Sequence, residues 1–217
     1  MVKQGFRIGI YVFKDAEVLD YSAPIGVISV ARRYDPSLDV FTISESMRPI
    51  QTLTGLTIMP TYSFSDKPAM DAFVIPGGYG TRQEMYNRNL HQFINALGEE
   101  CLLTSVCTGS WVYGQMGLLN GRTATNRKEP DALESSSLGL TPIDRLAQIA
   151  PACRISRSRI VDSGQIITAG GIASGMELGF HLLRRAGYNE AFVQSVARTM
   201  EYSLAYEGYK DDIHYDA

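Results

Sequence analysis

A chain of 217 residues, 45% of them hydrophobic, can bury the core of one α/β domain or of two small ones, and one domain is the expectation. Twenty Lys and Arg against 23 Asp and Glu give a net charge of −3 with no block of one sign, which weighs against nucleic acid or an anionic membrane surface as partner. No apolar run reaches transmembrane length, and three cysteines without a C-x-x-C pair exclude a disulfide framework and fit a reducing, cytoplasmic setting.

The first residues, "MVKQGFRIGIYVF", interrupt their apolar run with Arg7 and are followed by "KDAEVLD" with no small-residue cleavage site, so they read as a first strand over 6–13 and not a signal peptide. A helix is predicted over 23–34, with Pro24 in its first turn. "LDVFTIS" (38–44) reads as a second strand, "TGLTIMPTYSF" (54–64) as one or two edge strands, and "DAFVIP" (71–76) as a buried strand ending at "PGGYG". A helix is predicted over 83–98, where Met85, Leu90, Phe93, Ile94 and Leu97 fall near one face. "CLLTSV" (101–106) has the few polar positions of a strand covered on both sides.

A helix over 109–117 follows, then "GRTATN", then a mixed, partly helical segment from 128 to 150. "RIVDSGQIITAGG" reads as a hairpin turning at Ser163-Gly164, and two helices, 173–188 and 189–202, follow, the second capped by Asn189. Residues after 202 are expected to be a short acidic tail, too short for a DNA-binding domain. Strands alternating with helices imply a largely parallel sheet sandwiched by helices, with the ligand site beyond the carboxyl ends of the strands. Three loops are expected to meet there: those carrying Asp20, Gly77-Gly78 and Cys107.

Cys107 lies where an apolar strand passes through "SVCTGS" into a helix, the strand-turn-helix pattern of a nucleophile elbow. Unpaired N–H groups at the first turn would favour a thiolate and receive negative charge developing on a substrate. The plain alternative is a small apolar residue filling the core, which is the reading for Cys101 and Cys153. Thr108, Gly109 and Ser110 suit core filling poorly, which favours chemistry at Cys107. A thiolate needs a partner to manage protons. The histidines offer none beside the elbow: His91 lies on a polar-faced helix, His214 in the charged end, and His181 among apolar residues, where a hydrogen-bonded structural role fits. Asp20 is the better candidate, and its other reading is a helix N-terminal residue before Ala23-Pro24; on sequence alone both stand.

"VLDYSAP", "VIPGGYG", "LTSVCTGSWVYGQMGLLNGRTAT" and "ITAGGIASGMELGFHLL" resemble, in order and spacing, the ThiJ/PfpI superfamily, and within it the isocyanide hydratase branch most. The resemblance spans roughly residues 6 to 200. It implies a single domain over 1–217 with a flavodoxin-like, class I glutamine amidotransferase-like fold and no metal or organic cofactor. It further implies that Cys107 attacks the terminal carbon of a small isocyanide to form a thioimidate, with Asp20 handling protons. Thr108 matches the residue after the nucleophile, and Gly77-Gly78 a backbone turn at the same pocket. Water addition then yields an N-substituted formamide.

Two departures bear on the substrate. Where many relatives carry Thr, His and an aromatic residue, this chain reads Asn126, Arg127, Lys128. A guanidinium at Arg127, if it faces the pocket, favours an anionic or carbonyl-bearing ligand. Trp111, bulkier than usual at its place, either narrows the pocket or packs the helix. The alternatives to a hydratase are a hydrolase or amidase of the same superfamily, and a non-enzymatic small-molecule or redox sensor using Cys107. The expected partners are a small-molecule substrate and, by family analogy, a second copy of the chain in a homodimer, with no nucleic acid and no membrane.

Overall fold

The computed structural model describes residues 5–130 and 139–216. Its main sheet is built on three parallel strands, β1 (Arg7–Tyr11), β2 (Asp39–Ser44) and, after a protruding antiparallel pair β3 (Ile50–Gln51) and β4 (Thr57–Ile58), the short edge strand β5 (Tyr62–Ser63). The run over 54–64 thus splits between two sheets. β6 (Ala72–Ile75) pairs with the other side of β1, in register Ile8↔Ala72.

Between β1 and β2 the chain forms α1 (Val18–Ala31). This helix starts five residues before the predicted Ala23, and Pro24 sits inside it, not in its first turn. An internal proline lacks the N–H that would bond the carbonyl four residues back, here Asp20, and its ring crowds that carbonyl, yet α1 runs on through it to Ala31. The consequence is functional: Asp20 lies in the first turn of α1, not in the preceding loop.

The helix predicted over 83–98 is broken into α2 (Thr81–Glu84) and α3 (Arg88–Asn95). Asn87 causes the break, its side chain accepting from the N–H groups of Asn89 (3.0 Å) and Leu90 (3.2 Å) and so starting a second helix. β7 (Leu102–Val106) is buried throughout and pairs parallel with β6. A single 3-10 turn, Cys107–Gly109, leads into α4 (Ser110–Gln115). β8 (Thr123–Ala124) pairs with β9 (Arg154–Ile155) in a small separate ladder, and between them α5 (Pro142–Ile149) opens with a capping box of Thr141 and Asp144. Much of the mixed segment predicted over 128–150 is thereby accounted for; residues 131–138 lie outside the described residues.

β10 (Ile160–Ser163) and β11 (Ile166–Ala169) form the predicted hairpin, with Gly164 at φ +85°, and β11 pairs parallel with β7. α6 (Ser174–Arg185) and α7 (Glu190–Thr199) follow, the latter capped by Asn189 as predicted. The residues after 202 are not a plain tail: they add α8 (Ser203–Tyr209) and an edge strand β12 (Ile213–Tyr215), parallel to β10. Asp216 pins this strand by accepting the Thr123 N–H at 2.7 Å and pairing with Arg154 at 3.2 Å. The order is β12-β10-β11-β7-β6-β1-β2-β5, a mostly parallel sheet flanked by helices in a flavodoxin-like, single-domain arrangement. Among the described residues no helix is long and apolar enough to cross a membrane.

Two glycines of α6 set the distance at which α1 is held. A Cβ on Gly175 would stand 3.1 Å from the Ala23 Cβ, and one on Gly179 would stand 2.8 Å from the Val27 Cβ, so the helices meet almost backbone to backbone. Val27 is fully buried and branched, and has no flexible end to withdraw. Gly179→Ala is therefore expected to push α1 off α6 and to cost about 1–3 kcal/mol, measured by urea unfolding.

Candidate active site

β1, β6, β7 and β11 run parallel as neighbours, so the loops at their carboxyl ends converge. The loops of Gly77-Gly78 and Cys107 are there as expected, Asp20 comes in on the first turn of α1 and not on a loop, and Gly170-Gly171-Ile172 after β11 joins them. That loop was quoted among the sequence motifs but not assigned to the site.

Cys107 holds the elbow conformation at φ +55°, a left-handed geometry that strains any residue with a Cβ by about 1–3 kcal/mol. The strain is held from both sides. The Cys107 N–H donates to Gly170 O at 2.8 Å, and Gly109 brings the turn so close to β6 that a Cβ there would meet Ile75 O at 2.1 Å. The thiol is buried and points among backbone N–H groups of Thr108 and Ile172, both of which favour its charged form. Ile172 is itself left-handed at φ +34°. It is a site residue that the sequence reading missed, because an isoleucine contributing only its N–H leaves no side-chain signal.

Asp20 is completely buried opposite the thiol. Its Oδ2 accepts the Gly77 N–H at 2.9 Å, while Oδ1 has no partner within hydrogen-bond geometry. Gly77 has to be glycine: a Cβ would lie 2.6 Å from Thr108 Oγ1 and 2.8 Å from Asp20 Oδ2. Gly78, at φ +117°, would drive a Cβ to 2.4 Å from the Glu17 N. Thr108 is a strut as well as an N–H donor to sulfur. Its Oγ1 accepts the Gly78 N–H at 3.1 Å and lies 2.9 Å from Thr81 Oγ1, whose own proton is given to Gly78 O at 2.7 Å. The two hydroxyls and Gly78 thus form one hydrogen-bonded cluster that fixes α2 to the elbow.

Electrostatics separates the pair from ordinary side chains. Burial pushes the Asp20 carboxyl well above the usual carboxylate range, and Glu17 adds to this; the Gly77 N–H, the Cys107 thiol and the Arg127 charge pull it back by less. Burial also pushes the Cys107 thiol up, with the Asp20 charge second; Arg127 and the two backbone N–H groups oppose it. The lowered thiol pKa expected from the helix start is thus reversed, because a turn that hides the sulfur from water loses more than its N–H groups return. Each group's charge thus acts on the other, since the Asp20 charge raises the thiol and the thiol's hydrogen bond lowers the carboxyl.

Arg127 and Lys128 border the site. Arg127's charge acts on both members of the pair, and its stem lies where a Cβ on Gly171 would be, 2.4 Å from Arg127 Cγ. Asn126, fully buried, donates to Ser110 Oγ at 2.9 Å and ties this segment to α4. Trp111 is buried, its indole N–H given to Pro142 O at 3.1 Å and its ring under the Arg82 guanidinium at 5.2 Å, which is a packing role between α4 and α5. Each histidine is engaged elsewhere: His91 with Met85 O (2.9 Å), His181 with Asp162 (2.7 Å) and His214 with Asp216 (3.6 Å). Among the described residues no group of three or more His, Cys, Asp and Glu is set to hold a metal. A cavity of about 840 Å³ opens instead near the amino ends of β6 and β7, beside Met70, Phe93 and Cys101, away from this pair.

A family model described as DJ-1/PfpI matches residues 6–185. The chain is 30% identical over 201 residues to an isonitrile hydratase of Pseudomonas putida, spanning 92% of this chain and 79% of that protein. It is 28% identical over 145 residues to the HTH-type transcriptional regulator GbdR of Pseudomonas aeruginosa, spanning 66% of this chain and 36% of the regulator. Among solved structures it matches a THiJ/PfpI family protein from Pseudomonas syringae with a TM-score of 0.76 at 20% identity, covering 95% and 88% of the two chains. It also matches an AraC family transcriptional regulator from Pseudomonas putida with a TM-score of 0.70 at 19% identity, covering 90% and 99%.

The buried carboxyl makes a stability prediction with a definite sign. Asp20 keeps its proton at pH values where the unfolded chain, with a carboxyl pKa of about 3.9, has released it. The folded state therefore binds more protons, and stability falls as pH rises from the unfolded value toward the raised folded one. Asp20→Asn removes this dependence and can still accept from Gly77. Its melting temperature is expected to exceed the parent's by a margin that grows between about pH 4 and pH 7, as read by calorimetry.

Proposed function

Because the chain belongs to the DJ-1/PfpI family, we propose that it is a cysteine-dependent hydratase converting a small isocyanide, R–N≡C, into the N-substituted formamide R–NH–CHO. The observation that carries this reading is the buried Cys107–Asp20 pair with no histidine beside it, supported by the 30% identity to an isonitrile hydratase.

The geometry supplies what the reaction asks. Cys107 Sγ adds to the terminal carbon as Asp20 gives its proton to that same carbon and takes up the proton the thiol loses, giving a thioimidate R–N=CH–S–Cys107. In water such a step would need a charged thiolate and a separate acid; here Asp20 stands as the acid against the sulfur, and the N–H groups of Thr108 and Ile172 face the charge that sulfur carries in transit. Asp20, still protonated beside the Gly77 N–H, gives its proton to the thioimidate nitrogen as the water oxygen adds to the carbon, and takes back the proton that the water loses. The hydroxyl proton then passes to sulfur as the C–S bond breaks, and formamide leaves with the thiol restored. No leaving group other than sulfur is generated, so no histidine is required to protonate one.

A buried thiol whose pKa is raised is a poor peroxide target, which weighs against the redox-sensor reading. A hydrolase or amidase of the cysteine type needs an imidazole near the sulfur, and the three histidines are committed elsewhere.

The test is formamide production from a panel of alkyl and aryl isocyanides, followed by mass spectrometry. Turnover by the parent is expected, with Cys107→Ala reduced to background and Asp20→Asn reduced about 10²–10⁴-fold. Turnover by Cys107→Ala at the parental rate would overturn the mechanism.

A further inference from the structure

The turn that holds Cys107 in its strained conformation has a support of its own. The Cys107 N–H donates to Gly170 O at 2.8 Å, and the Gly170 N–H donates to Arg159 O, also at 2.8 Å. Gly170 thus carries the elbow on one side and hangs from the residue before β10 on the other. Two residues further on, the Ile172 N–H favours the charged sulfur. The placing of this one turn therefore governs both the backbone of Cys107 and a group that stabilises its thiolate.

Lys128 is laid across the turn. Its Nζ donates to Ser158 O at 2.9 Å, and a Cβ on Gly170 would lie 2.5 Å from that same Nζ, so the ammonium is seated on the bare Cα of Gly170. The backbone leading to it is fastened, with Thr125 N–H donating to Thr168 Oγ1 and Asn126 Nδ2 to Ser110 Oγ, both at 2.9 Å. Ser158 O does not depend on Lys128 for a donor, because the Thr125 hydroxyl gives it one at 3.0 Å.

A positive charge is costly to the fold at this place. Lys128 is half-buried, and burial lowers its pKa to about 8. Arg159 and Arg157, before β10, lower it as well, while Asp212, before β12, and Cys107 raise it. Two further carboxylates are taken up by the arginines: Glu177 meets Arg159 at 2.7 Å and Glu129 meets Arg157 at 3.9 Å. A methionine of similar length would cover Gly170 without a charge to desolvate. It would bring no positive charge to the turn on which the nucleophile hangs.

We propose that Lys128 is a positioning residue for the nucleophile: its ammonium, seated on Gly170, holds the Gly170-Gly171-Ile172 turn against Cys107 and brings a positive charge to bear on the sulfur as it becomes negative. The role concerns the reactivity of Cys107 and not the identity of the electrophile. Within the hydratase reading it serves the addition step.

The test is the rate at which iodoacetamide alkylates Cys107 in the folded protein between about pH 6 and pH 10, read site by site by mass spectrometry. The thiolate displaces iodide, so the rate follows the thiolate fraction. In the parent the rate is expected to climb about tenfold per pH unit at first and less steeply across pH 8, where Lys128 loses its proton and the thiolate its support. Lys128→Met is expected to react at least about fivefold more slowly at pH 7, to show no flattening, and to meet the parental rate near pH 10. Lys128→Arg, whose charge does not titrate in this range, is expected to keep the parental rate at pH 7 and lose the flattening.

Calorimetry separates this role from a purely structural one. The folded pKa of about 8 lies below the unfolded value of about 10.4, so the unfolded chain holds more protons between them and the parent gains stability as pH rises through that window. Lys128→Met is free of the buried charge and is expected to melt above the parent at pH 7, by a margin that shrinks toward pH 10. Equal alkylation rates in the parent and Lys128→Met at pH 7, a flattening that persists in Lys128→Arg, or no alkylation of Cys107 at all would overturn the proposal. So would a Lys128→Met variant that melts below the parent or does not fold. Absence of isocyanide turnover with these alkylation profiles intact would strike the hydratase reading alone and leave Lys128 in its role.

Discussion

A carboxyl group buried from water, with one backbone N–H at one oxygen and a thiol acting on it, is the constraint from which the rest of this site follows. Burying Asp20 is costly, and the Gly77 N–H offsets part of that cost. Gly77 must lack a Cβ so that its N–H can reach the carboxyl, and Gly109 must lack one so that the elbow can close on β6. Gly175 and Gly179 must lack one so that α6 admits α1, the helix whose first turn carries Asp20. The glycines of these separate motifs thus serve one purpose: they let four backbone segments approach to a distance at which no side chain intervenes.

The same closeness settles the direction of the electrostatics. Helix starts and turns supply N–H groups that favour an anion, but burial also takes away the water that would stabilise it. At Cys107 the loss of hydration outweighs the N–H groups of Thr108 and Ile172, so the resting pair keeps its protons. That is a suitable resting state for an addition reaction, which consumes a proton and a nucleophile in one step. It is less suitable for hydrolysis by a standing thiolate. Arg127 and Lys128 stand at the edge of this low-dielectric region, where a positive charge still acts on the pair without being fully desolvated itself.

The strand pattern was legible because buried parallel strands read as continuous apolar runs, and β1, β6, β7 and the β10–β11 hairpin appear where those runs are. Helix boundaries were less so. Pro24 suggested a helix start, yet the start lies at Val18, because a local signal cannot report the close packing of α1 on Gly175 and Gly179 of α6, against which the helix continues through the proline. Asn87 was hidden inside an amphipathic pattern that continued past it, although its side chain ends one helix and begins the next. The residues after 202 look like a polar tail in isolation. They form α8 and β12 because Asp216 finds Thr123 and Arg154, partners distant in the chain.

By itself the sequence determined the mostly parallel α/β fold, the elbow at Cys107 and the absence of a histidine near it in the chain, since each is written in local patterns of apolar, small and polar residues. It left Asp20 between a helix start and an acid, and Trp111 and Arg127 between packing and substrate contact. Only the tertiary structure decided where these stand. Asp20 is both in the first turn of α1 and against the thiol, Trp111 packs α4 on α5, and the charge of Arg127 reaches the pair. Ile172 could be found in no other way, because its contribution is a backbone N–H whose direction depends on how the loop after β11 crosses the end of β7. Such distances between segments far apart in the chain are products of packing, and no local pattern encodes them.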